Sequence, residues 1–324
     1  MNNFKKIGMT ALAASLVSTS VFAGELTVAG SAGLNWENYS GASGAAAGTS
    51  QHSTKSFSMG NQITFTGGGE LDNGLTVGLT FVIDDAEQVF DGHNLSLSSD
   101  GFGTLVFSGE GADSAENAVG DTAAGNIWDT YDGRQGANSK LKESNATDDM
   151  FNYTLPSMVD DLTVAVSYVP SGTTGSSDTA FSLTYAGAVD GLTMSYGKGS
   201  SDQTGGTASD ADSTSMKISY VYGSVTVAYS DSDFDSNTAT LDQETTSYKL
   251  SYAVSDDFSI TYGQEEMKSG VTSDVDAEYT KLSASYTSGG MTVSANMSEM
   301  ENGTYTTAVA GDEEYIGLGV SFAF

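Results

Sequence analysis

The chain has 324 residues, with no cysteine, 39 glycines, two prolines and 42 acidic side chains against 11 basic ones, for a formal charge of −31. Such acidity excludes a nucleic-acid partner, because phosphate recognition needs clustered Lys and Arg, and it is compatible with attraction of cations and divalent ions. Without cysteine there is no disulfide framework and no thiol chemistry, and 10% aromatic residues set the chain apart from disordered acidic tails.

At the N-terminus, Lys5 and Lys6 head an apolar stretch from Ile7 to Phe22, and Val21-Phe22-Ala23 has the small-residue pattern of a secretory cleavage site. Residues 1–23 read as a cleavable signal peptide, with 24–324 as one mature domain. Losing the two lysines takes the formal charge from −31 to −33. No later stretch approaches the roughly 20 apolar residues of a spanning helix.

Period-two alternation then begins. Leu26, Val28, Gly30, Ala32, Leu34 and Trp36 share one face, and Leu75, Val77, Leu79, Phe81 and Ile83 form another. The pattern returns in Leu162–Tyr168, Phe181–Tyr185, Leu192–Tyr196, Met216–Tyr222, Val225–Tyr229, Tyr248–Val254, Phe258–Tyr262, Leu282–Tyr286 and Met291–Met297. It closes with Ile316, Leu318, Val320, Phe322 and Phe324 on one face and Tyr315, Gly317, Gly319, Ser321 and Ala323 on the other. Alternation of this length is a strand signature. The predicted strands are 25–36, 56–68, 73–83, 89–99, 101–110, 148–155, 161–169, 178–187, 190–198, 214–222, 223–230, 245–254, 257–266, 277–287, 289–299 and 313–324.

Connection lengths alternate as well. Tight-turn chemistry at Asp72-Asn73-Gly74, Ser99-Asp100-Gly101, Ser157–Asp160, Val189-Asp190-Gly191, Tyr222-Gly223, Asp256-Asp257 and Ser288-Gly289-Gly290 is interleaved with longer loops, above all 37–55, 111–147, 199–213, 231–244 and 300–312. Strand-end tyrosines such as Tyr168, Tyr196, Tyr252 and Tyr286 suit an interfacial girdle, where an apolar ring and a wet hydroxyl are both satisfied. These features predict an all-β fold: a transmembrane antiparallel up-and-down β-barrel of about 16 strands.

Four segments carry a resemblance: Gly24-Glu25-Leu26-Thr27-Val28-Ala29-Gly30, the run Gly101-Phe102-Gly103-Thr104-Leu105-Val106-Phe107-Ser108-Gly109, the stretch Ala115-Glu116-Asn117-Ala118-Val119-Gly120-Asp121, and the closing strand Tyr315–Phe324. With these the mature chain resembles the sixteen-stranded trimeric general porins of Gram-negative bacteria, in particular the purple-bacterial (alphaproteobacterial) type. The resemblance implies an outer-membrane, water-filled channel for passive diffusion of small hydrophilic solutes and ions. It also implies a homotrimer in contact with lipid and lipopolysaccharide, and Phe324 as a barrel-assembly signal. In such porins the loop after the fifth strand folds into the lumen and narrows it. Here that loop is 111–147, carrying Asp113, Glu116, Asp121, Asp129, Asp132 and Glu143 with Arg134, Lys140 and Lys142. Trp128 and Tyr131 are candidate anchors for it.

Parity points Lys217, Lys249 and Lys281 away from the lipid-facing residues of their strands. Lys facing lipid at mid-membrane costs about 2–4 kcal/mol, which alone explains their direction. Their position on alternate strands adds an expectation: a transverse field with the loop acids facing these lysines across the lumen. Arg134 is the only arginine, so strong anion preference is disfavoured, and a charge of −33 favours cations. The runs Asp148-Asp149, Asp231–Asp235 and Asp312–Glu314 have the chemistry of calcium sites or of divalent bridges to lipopolysaccharide, and equally that of solvated loops. A substrate-selective channel is the alternative reading. A barrel enzyme is weaker, since His52 and His93 have no nucleophile motif beside them.

Overall fold

The computed structural model describes residues 26–41, 56–84, 91–111, 113–131, 141–142, 148–170, 177–202, 210–307 and 311–324. Residues 1–23, read above as a signal peptide, and His52 lie outside the described residues. Every predicted strand is present. The order is β1 (Thr27–Gly41), β2 (Ser56–Glu70), β3 (Thr76–Asp84), β4 (Gly92–Ser99), β5 (Gly103–Glu110), β6 (Met150–Thr154), β7 (Leu162–Val169) and β8 (Ser177–Tyr185), followed by β9 (Leu192–Asp202), β10 (Ala211–Tyr222), β11 (Val225–Ser236), β12 (Gln243–Ala253), β13 (Phe258–Ser269), β14 (Ala277–Ser288), β15 (Met291–Glu301) and β16 (Glu313–Ala323). Each strand pairs antiparallel with its sequence neighbours, and β16 pairs with β1, so the sheet is a closed sixteen-stranded barrel.

Closure satisfies both ends of the ladder. Phe324 exchanges two backbone hydrogen bonds with Gly30, at 2.7 and 2.9 Å. Its ring lies over Gly30 so closely that a Cβ there would sit 2.6 Å from Cε2. The apolar parity set is turned outward along each strand, as in Leu34, Met216, Leu250, Leu282 and Leu318, all exposed on the isolated chain. The intervening residues line the inside and are small or polar, among them Ser215, Ser230, Ser247 and Ser298, all buried. The exposed apolar belt is therefore the surface that lipid covers, not an unfilled core.

The strands on one half of the barrel run further into the long loops than apolar periodicity foretold. β11 extends through Ser236 and pairs with both neighbours over that length, Asp212 facing Asp235 and Asp233 facing Glu244. Asp231, Asp233 and Asp235 are thus strand residues on the outward parity set, not a loop cluster. The hydrophobic signal stops at Tyr229 because the lipid does, whereas backbone pairing continues into water. Among the described residues no three His, Asp or Glu side chains converge on a point that would hold a metal ion. His93 lies in β4 on the outward face, its ring packed against Gly109.

The in–out parity makes opposite demands on neighbouring residues of β16. Leu318→Lys should lower unfolding stability of the bilayer-refolded barrel by about 2–4 kcal/mol, while Ser321→Lys, facing water, should change it by less than about 0.5 kcal/mol, as read by denaturant titration.

Candidate pore-lining site

After β5 the chain turns inward instead of outward, and residues 113–131 run along the inner wall. Two short helical turns shape this segment: α1 (Asn117–Gly120) and the 3-10 turn η1 (Ile127–Tyr131). The wall meets it with a row of acceptors in register, since Ser230 of β11 faces Ser247 of β12, which faces Glu265 of β13. The Ala123 N–H donates to Ser230 Oγ at 2.7 Å and the Ala124 N–H to Ser247 Oγ at 2.9 Å. Glu265 accepts from the Thr122 hydroxyl, from the Ile127 N–H at 2.8 Å and from the Trp128 N–H at 3.0 Å. Further along, the Ala115 N–H donates to Ser167 Oγ at 3.0 Å, and Ser215 donates to the Glu116 carboxylate. A buried segment must pair its amides, and these wall side chains supply the partners that water would.

Two glycines make the approach possible. A Cβ on Gly197 of β9 would lie 2.6 Å from Val119 Cγ2, and one on Gly263 of β13 would lie 2.7 Å from Ala124 Cβ. Beyond them the segment ends in a small apolar cluster against the inner wall. Ile127 and Tyr131 pack with Met267, Ala277, Tyr279, Met300 and Tyr305, flanked by Tyr39, Trp128, Leu141 and Tyr315. Tyr39 donates to the Thr130 carbonyl at 2.9 Å, which ties the end of the segment to β1. Trp128 and Tyr131 therefore do pack against the inner wall. Several tyrosines point inward as packing material, which the girdle pattern did not foresee.

The candidate residues separate into groups. Asp121 and Asp129 are exposed on the segment, and Asp113 is close by, its carboxyl pushed above the usual range by burial and then by the nearby Asp121 charge. Glu116 is 1% exposed and faces the wall, so it anchors the segment and does not line the lumen. Lys142 lies apart from the acids, near the long-loop ends of β11 and β12. Its Nζ donates to the Leu241 carbonyl at 2.6 Å and stands 6.0 Å from the Phe234 ring centroid. Burial lowers its pKa, with the Asp242 charge opposing. Asp132, Arg134, Lys140 and Glu143 lie outside the described residues.

Lys217, Lys249 and Lys281 are on the inward parity set, alternating with exposed Met216, Tyr248, Leu250 and Leu282. Lys217 and Lys249 lie within electrostatic reach of each other, Lys217 of Asp121, and Lys281 of Glu265. Asp121 of the loop and Lys217 of the wall are thus brought close together, on the same side of the lumen. The segment is seated along β7 and β9 to β14, the wall that carries these lysines, and each lysine lies two residues nearer the short-turn end than a seat residue of its own strand: Ser215, Ser247 and Tyr279. The physical reason is that the serine, glycine and glutamate seat occurs on those strands, and the segment must dock where its amides find acceptors. Across the barrel, the inward parity sets of β1 and β3 carry Glu37 and Asp84. Sequence reading missed Glu265, Gly197 and Gly263. The only available signal was their presence on inward parity positions, where a buried carboxylate and two absent side chains have no lipid explanation.

Comparison with known proteins agrees with this geometry. The sequence profile of the Gram-negative porin family matches residues 8–324. No curated protein sequence matches significantly. Among solved structures, a porin refined at 1.8 Å superposes with a TM-score of 0.68 at 17% identity, covering 93% of this chain and 100% of that one. An anion-selective porin from Comamonas acidovorans gives 0.66 at 17% identity, with 93% and 99% covered. The outer-membrane protein OmpT of Vibrio cholerae gives 0.65 at 14% identity, with 94% and 99% covered.

Glu265 is the acceptor on which the seat turns. In Glu265→Ala, amide hydrogen exchange at Ile127 and Trp128 should quicken by about tenfold or more while the β13 ladder stays protected, because buried donors left without an acceptor cost about 1–3 kcal/mol each. Unchanged protection at those two amides would contradict the seat.

Proposed function

The chain belongs to the Gram-negative porin family, whose profile matches nearly its whole length, and from that premise we propose that it passes small hydrophilic solutes and ions by passive diffusion, with a preference for cations. It is an outer-membrane β-barrel channel that crosses by its strands. The observation that carries the diffusion reading is the seated segment. A closed barrel of sixteen strands is wide enough for an aqueous lumen, and a segment pinned along one inner wall narrows it without plugging it. The rim and lining act through field and size, and no catalytic group is needed.

Cation preference rests on charge, not on likeness. The fold is shared with an anion-selective porin at 17% identity, and a fold that hosts either selectivity decides neither. Among the described residues no basic side chain stands on the inward face of β1 to β8, and the mature chain carries −33. The constriction is assigned to the segment within 111–147, with Asp113, Asp121 and Asp129 on its described part.

Assembly as a homotrimer is proposed on the resemblance and on the outer surface. Among the described residues, the outward parity positions of β1 to β8 hold no Asp, Glu, Lys or Arg apart from Glu110, which pairs with His93 across a bulge at the end of β5, whereas those of β9 to β16 include Asp212, Asp233, Glu244, Glu266 and Glu301. An uncharged flank suits contact between copies, and an acidic flank above the apolar band suits lipopolysaccharide bridged by divalent ions. Removal of residues 1–23 on export belongs to the same proposal. A native mass in detergent equal to one chain would remove the trimer.

In planar bilayers with a salt gradient, purified protein should show stable ion conductance and a zero-current potential of the cation-selective sign. An anion-selective sign, or no conductance, overturns the reading. Acidification should weaken the preference as carboxylates protonate. Asp113 holds its proton to higher pH than an ordinary aspartate, so the decline should begin above the pH at which free Asp, with a pKa of about 3.9, titrates. Asp113→Asn should remove that early step and leave the main decline in place.

A further inference from the structure

We infer that the outer face of β7 to β10 is a binding site for one lipid of the periplasmic leaflet whose headgroup ends in a primary amine. An acyl chain lies in an apolar groove across these strands. The ammonium is held by the Asp161 carboxylate and the Tyr185 hydroxyl at the short-turn end of that groove. The site goes beyond the channel reading, since it lies on the outside of the wall and calls on no group of the lumen.

The groove has a volume of about 650 Å³, within the range of roughly 300–1,000 Å³ common to small-ligand sites. Strand register orders its lining in two rows. Leu183, Tyr196 and Met216 are in register across β8, β9 and β10, and two residues nearer the short turns come Tyr185, Met194 and Ile218. Val159, from the turn before β7, closes one side. A smooth barrel wall offers a lipid chain one layer of contacts. A concave one surrounds the chain, so each carbon gains more dispersion contacts and one chain is held in preference to its neighbours. Short turns are the periplasmic side of such a barrel, so the groove opens towards the periplasmic leaflet. The acids that suit lipopolysaccharide stand at the opposite ends of the strands.

At its short-turn end the apolar lining gives way to oxygen. Asp161 Oδ2 and Tyr185 Oη each stand 3.0 Å from the point that a Cβ on Gly187 would take, so a carboxylate and a phenol converge on a spot that glycine leaves open. The turns at this end, 155–161, 186–191 and 223–224, carry Asp160, Asp161 and Asp190 and no base. A carboxylate in such a setting accepts charge-assisted hydrogen bonds from an ammonium and repels an anionic headgroup. The charge therefore selects an amine. The aromatic residues of this face select lipid over a second copy of the chain. Tyr168, Tyr185, Tyr196 and Tyr222 are outward on β7 to β10, whereas β1 to β5 carry Trp36, Phe57, Phe65, Phe81 and Phe107 outward and no outward tyrosine. A tyrosine with its ring in lipid and its hydroxyl in water marks a membrane boundary.

Native mass spectrometry of the refolded protein reads the site, with equal amounts of phosphatidylethanolamine and phosphatidylcholine of identical acyl chains. Both lipids are zwitterionic, so the overall charge of the chain does not separate them, and only the first can donate N–H to a carboxylate. It should be retained at one per chain and about tenfold over phosphatidylcholine. Asp161→Asn should bring that preference down to about twofold or less. Residue 161 has a φ of 60°, which Asn tolerates as Asp does, so the turn survives the change. Asp257→Asn, in the turn between β12 and β13, should leave the preference unchanged. Ile218→Trp, which fills the groove, should lower retention of both lipids severalfold, while Ile260→Trp on the lipid face of β13 should not. Equal retention of the two lipids, a preference that survives Asp161→Asn, or retention that survives Ile218→Trp overturns the proposal. A lipid-free oligomer that Ile218→Trp breaks apart would give the groove to a second copy and overturn it as well. Bilayer conductance tests the channel reading separately: a protein that conducts without retaining the amine lipid fails this inference alone.

Discussion

Everything in this molecule follows from the need to pair backbone groups where there is no water. In lipid an unpaired N–H or C=O costs several kcal/mol, so strands can cross only if the sheet closes on itself. Here β16 returns to β1, and the ladder ends in the reciprocal pair between Phe324 and Gly30. Closure then forces every strand to have a lipid side and a lumen side, and the period of two in the sequence becomes an address. Leu318 is outside and Gly317 inside because they are neighbours, not because of anything else in their surroundings.

The same constraint acts a second time inside the barrel. A segment folded into the lumen loses water on the side that touches the wall, and its amides need partners there. Ser230, Ser247 and Glu265 stand in one register row and provide them, while Gly197 and Gly263 leave room for Val119 and Ala124 to sit close. Once seated, the segment carries Ile127 and Tyr131 into contact with Tyr279, Met267 and Met300, a small apolar core in a protein whose main apolar surface faces outward. That core fixes which side of the lumen is filled.

Most of the architecture was legible in the sequence because period two is imposed directly by lipid on one face and water on the other. Strand number, order and the alternation of short turns with long loops could be read from Leu, Val, Phe and Tyr at alternate positions with Asn-Gly and Asp-Gly turns between them. Strand ends were less legible. Beyond Tyr229 both faces of β11 meet water, so Asp231 to Ser236 carry no apolar signal even though their backbones remain paired. The inward direction of Lys217, Lys249 and Lys281 followed from parity, but their relation to the loop did not. Parity says which face a side chain takes and nothing about which wall a distant segment will choose. That choice depends on Glu265 and two glycines, residue types that look unremarkable in a strand until a second chain segment rests on them. Glu116 shows the complementary limit: an acid in an acidic loop reads as lumenal, yet the wall hydroxyl of Ser215 turns it inward against the sheet.

The central claim is that a closed, water-filled barrel is narrowed by a segment pinned to one inner wall. Solute flux through proteoliposomes tests it most directly, using uncharged sugars of increasing size with the intact chain and with a chain in which residues 113–131 are replaced by a short glycine and serine linker. The account predicts passage of the small sugars with a size cut-off for the intact chain, and a cut-off shifted to larger sugars for the replaced one. An identical cut-off in both proteins, or no passage in either, would contradict it.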